Sequence, residues 1–88
     1  MKGVTKSGFH YEIKDTMFDN MELVDTIAEA SENDPVAVSR MVKMVLGTEQ
    51  RKKLYEHLRT EDGRVPTELV FREIGEIFAS FGKAEKNS

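Results

Sequence analysis

Residues 57–70 read HLRTEDGRVPTELV and hold the densest structural punctuation in the chain. Acidic residues meet a glycine, then a proline, then a fresh apolar run. The cluster is either a ligand-binding loop or a corner between two helices. An EF-hand loop with Gly63 in its sixth position needs oxygen ligands at positions one, three and five and a glutamate at twelve. Those positions here are Leu58, Thr60, Asp62 and Leu69, so two of the four are leucine. A phosphate loop fails too, because no lysine is followed by serine or threonine after the glycine. Corner chemistry explains more. Gly63 permits a positive φ, Pro66 starts the next helix, and Glu68 in its first turn favours the positive end of the helix dipole.

Outward from that corner, the chain is helix punctuation. Downstream, a helix from about Pro66 to Phe81 places Val70, Ile74, Ile77, Phe78 and Phe81 along one stripe. Gly82 is expected to end it, leaving residues 83–88 as a polar flexible tail. Upstream, a helix from about Glu49 to Arg59 buries Leu54, Tyr55 and Leu58. Before it, Val38, Met41, Val42, Val45 and Leu46 follow i, i+3, i+4, i+7, i+8, the clearest amphipathic pattern here. Gly47 suits a left-handed C-terminal position, and Thr48 can cap the following helix. Asp34-Pro35 marks this helix's start, with aspartate as N-cap and proline at the first helical position. A further helix begins at Asp19-Asn20-Met21-Glu22, which has the form of a capping box with Asp19 as the cap. It runs to about Ala30 or Glu32, with an apolar face of Met21, Leu23, Val24, Ile27 and Ala28. At the N-terminus, Phe9, Tyr11 and Ile13 alternate with His10 and Glu12, the period of a half-buried strand. Val4 and Thr5, across a Ser7-Gly8 turn, supply the other arm of a hairpin.

The expected fold is therefore mainly α, a compact four-helix domain over residues 1–82 with a short N-terminal β-hairpin or strand. At 88 residues the chain fits one domain. A domain this small buries only about 60–65% of its unfolded surface. With no cysteine, neither disulfides nor cysteine-bound zinc can supplement that core. No apolar run approaches the ~18 residues of a membrane span, and the first residues carry no signal-peptide apolar region. A soluble protein of the cytoplasm is the expectation.

Chemistry is hard to place. The histidines are His10 and His57, and no serine sits in a Gly-x-Ser-x-Gly turn. His57 and Glu61 stand at i and i+4, a spacing that can share a metal, but no third ligand is apparent. No catalytic, cofactor-binding or metal-binding residue is assigned, and the chain is not read as an enzyme. Charge is unevenly spread. Met1 to Val38 holds three lysines and eight acidic residues. Ser39 to Arg59 reverses this, with Arg40, Lys43, Arg51, Lys52, Lys53 and Arg59 against Glu49 and Glu56. The basic run and the helix-turn-helix-like VLGTEQ raise a small nucleic-acid-binding regulator as an alternative. The net charge of −3, the acidic first helix and the lack of a basic arm argue against it.

The order DNMELVDTIAEA, DPVAVSRMVKMVLG and KKLYEHLRTEDGRVP, leading into a last amphipathic helix, resembles the small tail assembly chaperones of long-tailed phages and prophages of Gram-positive bacteria. The likeness runs roughly from Phe9 to Phe81 and is one of layout and turn wording. It implies binding rather than catalysis. Such proteins are made between the major tail protein and the tape measure protein, hold the aggregation-prone tape measure, and help tube subunits assemble on it. A frameshifted longer form is common in that family. Glu85-Lys86-Asn87 can be encoded by a sequence containing the slippery A-AAA-AAC. Met17, Phe18, Met44 and Phe71 lie off the centres of the assigned stripes. They are the candidate contacts for the tape measure or for another copy of the chain.

The nucleic-acid alternative has a direct test. If the basic run is a solvated face, a binding assay at micromolar protein will show no DNA or RNA complex at about 50 mM salt. A complex that forms there and weakens steeply by about 200 mM would establish the regulator.

Overall fold

The computed structural model describes residues 1–30 and 34–86, with side-chain packing described through residue 81. Two short strands, β1 (Lys2–Val4) and β2 (His10–Glu12), precede three helices, α1 (Met21–Ala30), α2 (Pro35–Leu58) and α3 (Thr67–Lys86). α2 is the hub: α1, α3 and β2 all pack on it.

The strands form an antiparallel hairpin with Gly3 opposite Tyr11. Its loop is closed by Thr5 N–H to Phe9 C=O at 2.9 Å and Gly8 N–H to Thr5 C=O at 3.0 Å, with Gly8 at φ 93°. The period-two reading holds, since Phe9, Tyr11 and Ile13 are all buried while His10 and Glu12 face solvent. The Tyr11 ring lies across Gly3, where a Cβ would come within 2.5 Å of Tyr11 Cζ. Gln50 of α2 finishes the outer edge of β2. Its side-chain amide accepts from Glu12 N–H at 2.6 Å and donates to Glu12 C=O at 2.8 Å. A side chain thus stands in for a neighbouring strand.

The expected count of four helices is corrected to three among the described residues. The predicted second and third helices run end to end as α2: the expected break between them is there, but it is confined to a single non-helical residue. That residue is Gly47, at φ 77° and ψ 170°. The bend it makes is sharp. Val38 and Tyr55 line one shallow pocket of about 220 Å³ with Pro35, Ser39, Val65, Thr67 and Val70. In a straight helix the seventeen residues from Val38 to Tyr55 would separate them by about 25 Å. The N-terminal half carries the stripe read from the sequence, with Val38, Met41, Val42, Val45 and Leu46 buried and Ala37 beside them. Asp34 caps it as expected, its carboxylate accepting from Val36 N–H at 3.0 Å with Pro35 in the first turn.

Three boundaries shift. α1 is capped by Asn20, not Asp19: the Asn20 side chain accepts from Glu22 N–H at 3.0 Å, and its carbonyl accepts from Leu23 and Val24. Pro66 is likewise the residue before α3, its carbonyl accepting from Leu69 and Val70 N–H. Gly82 does not end α3, which continues to Lys86 and takes in residues 83–86 of the expected tail. A glycine inside a helix costs about 1 kcal/mol relative to alanine, and Lys83, Ala84, Glu85 and Lys86 are strong helix formers. Glu32, Asn87 and Ser88 lie outside the described residues.

The face of α1 is also revised. Leu23, Thr26 and Ala30 are buried, whereas Met21, Val24 and Ala28 are exposed. Burial of Thr26 is made tolerable by its hydroxyl, which donates to the Glu22 carbonyl one turn back at 2.8 Å. A stripe drawn through apolar residues alone omits that threonine and turns the helix the wrong way.

The dihedrals of Gly47 lie in a region essentially open only to glycine. A Cβ there meets nothing within 4 Å, so the cost of Gly47→Ala is conformational rather than steric. Urea denaturation is expected to show a loss of roughly 1–3 kcal/mol. Gly75 is the control: it is exposed within α3, a Cβ there also meets nothing, and Gly75→Ala is expected to gain roughly 0.5–1 kcal/mol.

Candidate docking surface and the polar lock beneath the hairpin

The four residues singled out for contact fall in different settings. Met17 and Phe18 lie in the turns that lead to α1, where Met17 N–H reaches Lys14 C=O and Asp19 N–H reaches Thr16 C=O, each at 3.0 Å. Both are half-buried against the core. The Phe18 ring meets Phe78 edge-on at 5.1 Å and Phe81 at 4.3 Å between centroids, which closes the aromatic end of α3. Met44 is half-buried between α2 and α1, and its Sδ lies 3.5 Å from Thr26 Oγ1, whose proton goes to the Glu22 carbonyl. Phe71 on α3 remains 37% exposed. Larger apolar exposure occurs where the sequence reading expected core, at Met21 (68%) and Val24 (44%) of α1. Val36, at the start of α2, is 66% exposed. A stretch of α1 that is apolar on more than one face carried the signal, but spacing alone could not say which face is covered.

The corner at residues 57–70 is built from its own hydrogen bonds. Gly63 has φ 89°, as expected. Thr60 N–H reaches Arg64 C=O at 2.8 Å, Gly63 N–H reaches Thr60 C=O at 3.0 Å, and the Arg59 guanidinium holds Gly63 C=O at 2.8 Å. The Thr60 hydroxyl, and then the Arg64 guanidinium, hold the Asp62 carboxyl below its usual range. A hydrogen bond from Arg59 and its charge do the same for Glu56. These carboxylates are engaged in tying the corner. Among the described residues no group of three or more His, Cys, Asp or Glu side chains could hold a metal ion.

His57 does not turn to Glu61 but to the hairpin loop. Its Nε2 lies 3.1 Å from the Ser7 carbonyl and 3.0 Å from Ser7 Oγ. A carbonyl can only accept, so Nε2 carries the proton in this contact. The Ser7 hydroxyl in turn donates to Glu73 of α3, which is only 3% exposed. Lys6 N–H adds a bond to Glu76 at 2.9 Å. Serine, histidine and a carboxylate therefore meet, but in the wrong order for nucleophilic catalysis. There the imidazole must take the serine's proton and the carboxylate must orient the imidazole. Here the imidazole donates and the serine is the middle member. The geometry fastens the hairpin loop to both α2 and α3. Residues 7, 57 and 73 are too far apart in sequence for any local pattern to have linked them.

The second face of the hairpin borders a broad open groove of about 1130 Å³ whose lining includes Lys2, Tyr11, Glu12, Asp15, Gln50 and Lys53. Its charges are mixed in sign, and it gives no convergent set of donors or acceptors. Among the described residues no helix is long and apolar enough to cross a membrane. No protein-family model matches the chain, and neither the curated proteins nor the solved structures compared with it include a match.

The lock makes a prediction about stability. Among the described residues Glu73 Oε2 has no hydrogen-bond partner, and Ser7 supplies the carboxylate's one side-chain donor. Ser7→Ala should destabilise the fold by about 1–3 kcal/mol, the cost of leaving a buried polar group unsatisfied. Adding Glu73→Met in the Ser7→Ala background should restore most of that loss, because the group needing a partner is gone. Urea midpoints of the two variants decide it.

Proposed function

We propose that this chain is a tail assembly chaperone of a long-tailed phage or prophage, acting in the cytoplasm of the bacterial host. On this reading it binds the tape measure protein and aids tail tube assembly by protein–protein contact, without a cofactor. The observation that carries the binding reading is the set of large apolar side chains left in solvent on all three helices: Met21 and Val24, Val36, and Phe71. Small domains expose single apolar residues routinely, but Met21 and Val24 stand one turn apart on the same side of α1 and make a pair that suits a partner. The likeness of helix order and turn wording described above directs that binding to the tape measure.

The surface chemistry weighs against the regulator alternative. Lys43, Lys52 and Lys53 are exposed on α2, yet Arg40 is engaged by Glu29 at 2.5 Å and Arg59 by Glu56 at 2.7 Å. The remaining cations sit on a chain of net charge −3.

Co-expression tests the proposal. The tape measure protein of the same phage or prophage should be more soluble with this chain present and should co-purify with it. Phe71→Glu should reduce the co-purified amount while leaving the far-ultraviolet circular dichroism unchanged. A tape measure equally soluble alone, with no co-elution, would overturn the assignment.

A further inference from the structure

Two rows run side by side along the solvent face of α1. One is Met21, Val24 and Ala28, at i, i+3 and i+7; the other is Glu22, Asp25 and Glu29, with the same spacing one residue on. Residues three and four apart on a helix are neighbours, so the apolar row has an acidic row along its flank. All six residues are exposed. The field is reinforced by composition. From Asp15 to Ser39 the chain has seven acidic residues and no lysine or arginine. Among the described ion pairs of the acidic row, Glu29 is matched by Arg40, and no cation is paired with Glu22 or Asp25. The apolar row is not a lid over the core. Leu23, Thr26 and Ala30 already face α2 from the other side of the helix.

We infer that this face of α1 is a docking site for a basic amphipathic helix of a partner protein, one whose apolar side chains meet Met21 and Val24 while its lysines or arginines meet Glu22 and Asp25. Helix-to-helix recognition of this kind uses apolar anchors at i, i+3 and i+7, with flanking charges setting orientation and partner choice. A second copy of the chain is the poorer match. Its exposed cations Lys52 and Lys53 stand among Thr48, Glu49 and Glu56, and the exposed large apolar residue near Arg40 and Lys43 is the single Val36. Charge complementarity is available between copies, but a row of apolar anchors is not. The inference rests on the reading of the chain as a binding module and gives that module's partner a chemical class.

The probe is a designed peptide helix with leucine at i, i+3, i+4 and i+7 positions and lysine elsewhere, titrated against the whole protein by calorimetry. A matched leucine–glutamate peptide serves as control. The lysine peptide should bind and the glutamate peptide should not. Binding should weaken as salt is raised, because the flanking charges are exposed and screened. Met21→Glu combined with Val24→Glu should weaken binding about tenfold or more, since it removes both anchors. Glu22→Gln with Asp25→Asn should remove most of the salt dependence. Val4→Glu, the same kind of change at an exposed apolar residue of β1, should leave peptide affinity unchanged. Because Met21 and Val24 are exposed, their variants should keep the parent circular dichroism and melting curve. Equal binding of both peptides, or affinity indifferent to the α1 variants, would overturn the site. So would a dimer in sedimentation that Met21→Glu dissolves, since the occupant would then be a second copy. The two proposals fail separately. Peptide binding without tape measure co-purification removes the tail assignment alone. Co-purification indifferent to the α1 variants removes this site alone.

Discussion

The backbone of one residue organises the molecule. Gly47 takes a conformation that side-chain-bearing residues do not sustain, and it does so in the middle of the element on which everything else packs. Before the bend, Arg40 and Met44 meet α1 through Glu29 and Thr26. After it, Gln50 holds β2 and His57 holds the hairpin loop. A straight helix of this length would reach about 36 Å and present its two halves to different neighbourhoods. The bend brings Val38 and Tyr55 to one pocket. In an 88-residue chain without cysteine, that doubling back lets one set of apolar side chains serve a single core.

A core this small leaves little margin for polar error, and the hairpin is where the margin is thinnest. A two-stranded hairpin is marginal by itself and must be held down. Phe9, Tyr11 and Ile13 supply the apolar grip. The orientation comes from polar contacts at both ends: Gln50 on Glu12, and His57 with Glu73 on Ser7. Burying Glu73 is unfavourable in isolation and becomes tolerable through the donor that Ser7 brings. Polar groups therefore specify where the hairpin sits, while apolar groups provide the drive to bury it.

Much of this is legible from local chemistry. The period of two at Phe9–Ile13, the Asp34-Pro35 start, the Val38–Leu46 stripe and the positive φ of Gly63 each depend on neighbours a few residues away, and each is readable. The misreadings share a cause. Gly47 does interrupt a helix, but sequence alone does not distinguish a bend within one element from a loop between two. Gly82 is the same residue type without the same effect. On α1, Thr26 looks polar because its partner, the Glu22 carbonyl, belongs to the backbone. Of the contact candidates, Phe71 is the one most exposed, while Met17, Phe18 and Met44 rest half-buried on residues distant in sequence. The Ser7–His57–Glu73 lock is invisible in the sequence for that reason as well.

Stability and the proposed recognition make opposite demands on α1, and its composition suits both. A helix of ten residues is too short to persist alone in water, so it needs the Leu23–Thr26–Ala30 face against α2. That contact uses one side of the helix. The opposite side could have been polar throughout at no cost to folding, since lysine, glutamate and glutamine are as good helix formers as methionine and far better than valine. Instead it carries methionine and valine in solvent, beside carboxylates with few cations to answer them. Folding alone gives no reason for that choice. Exposed apolar area invites association and unmatched like charges repel one another, and both features become favourable together when a cationic amphipathic partner covers them.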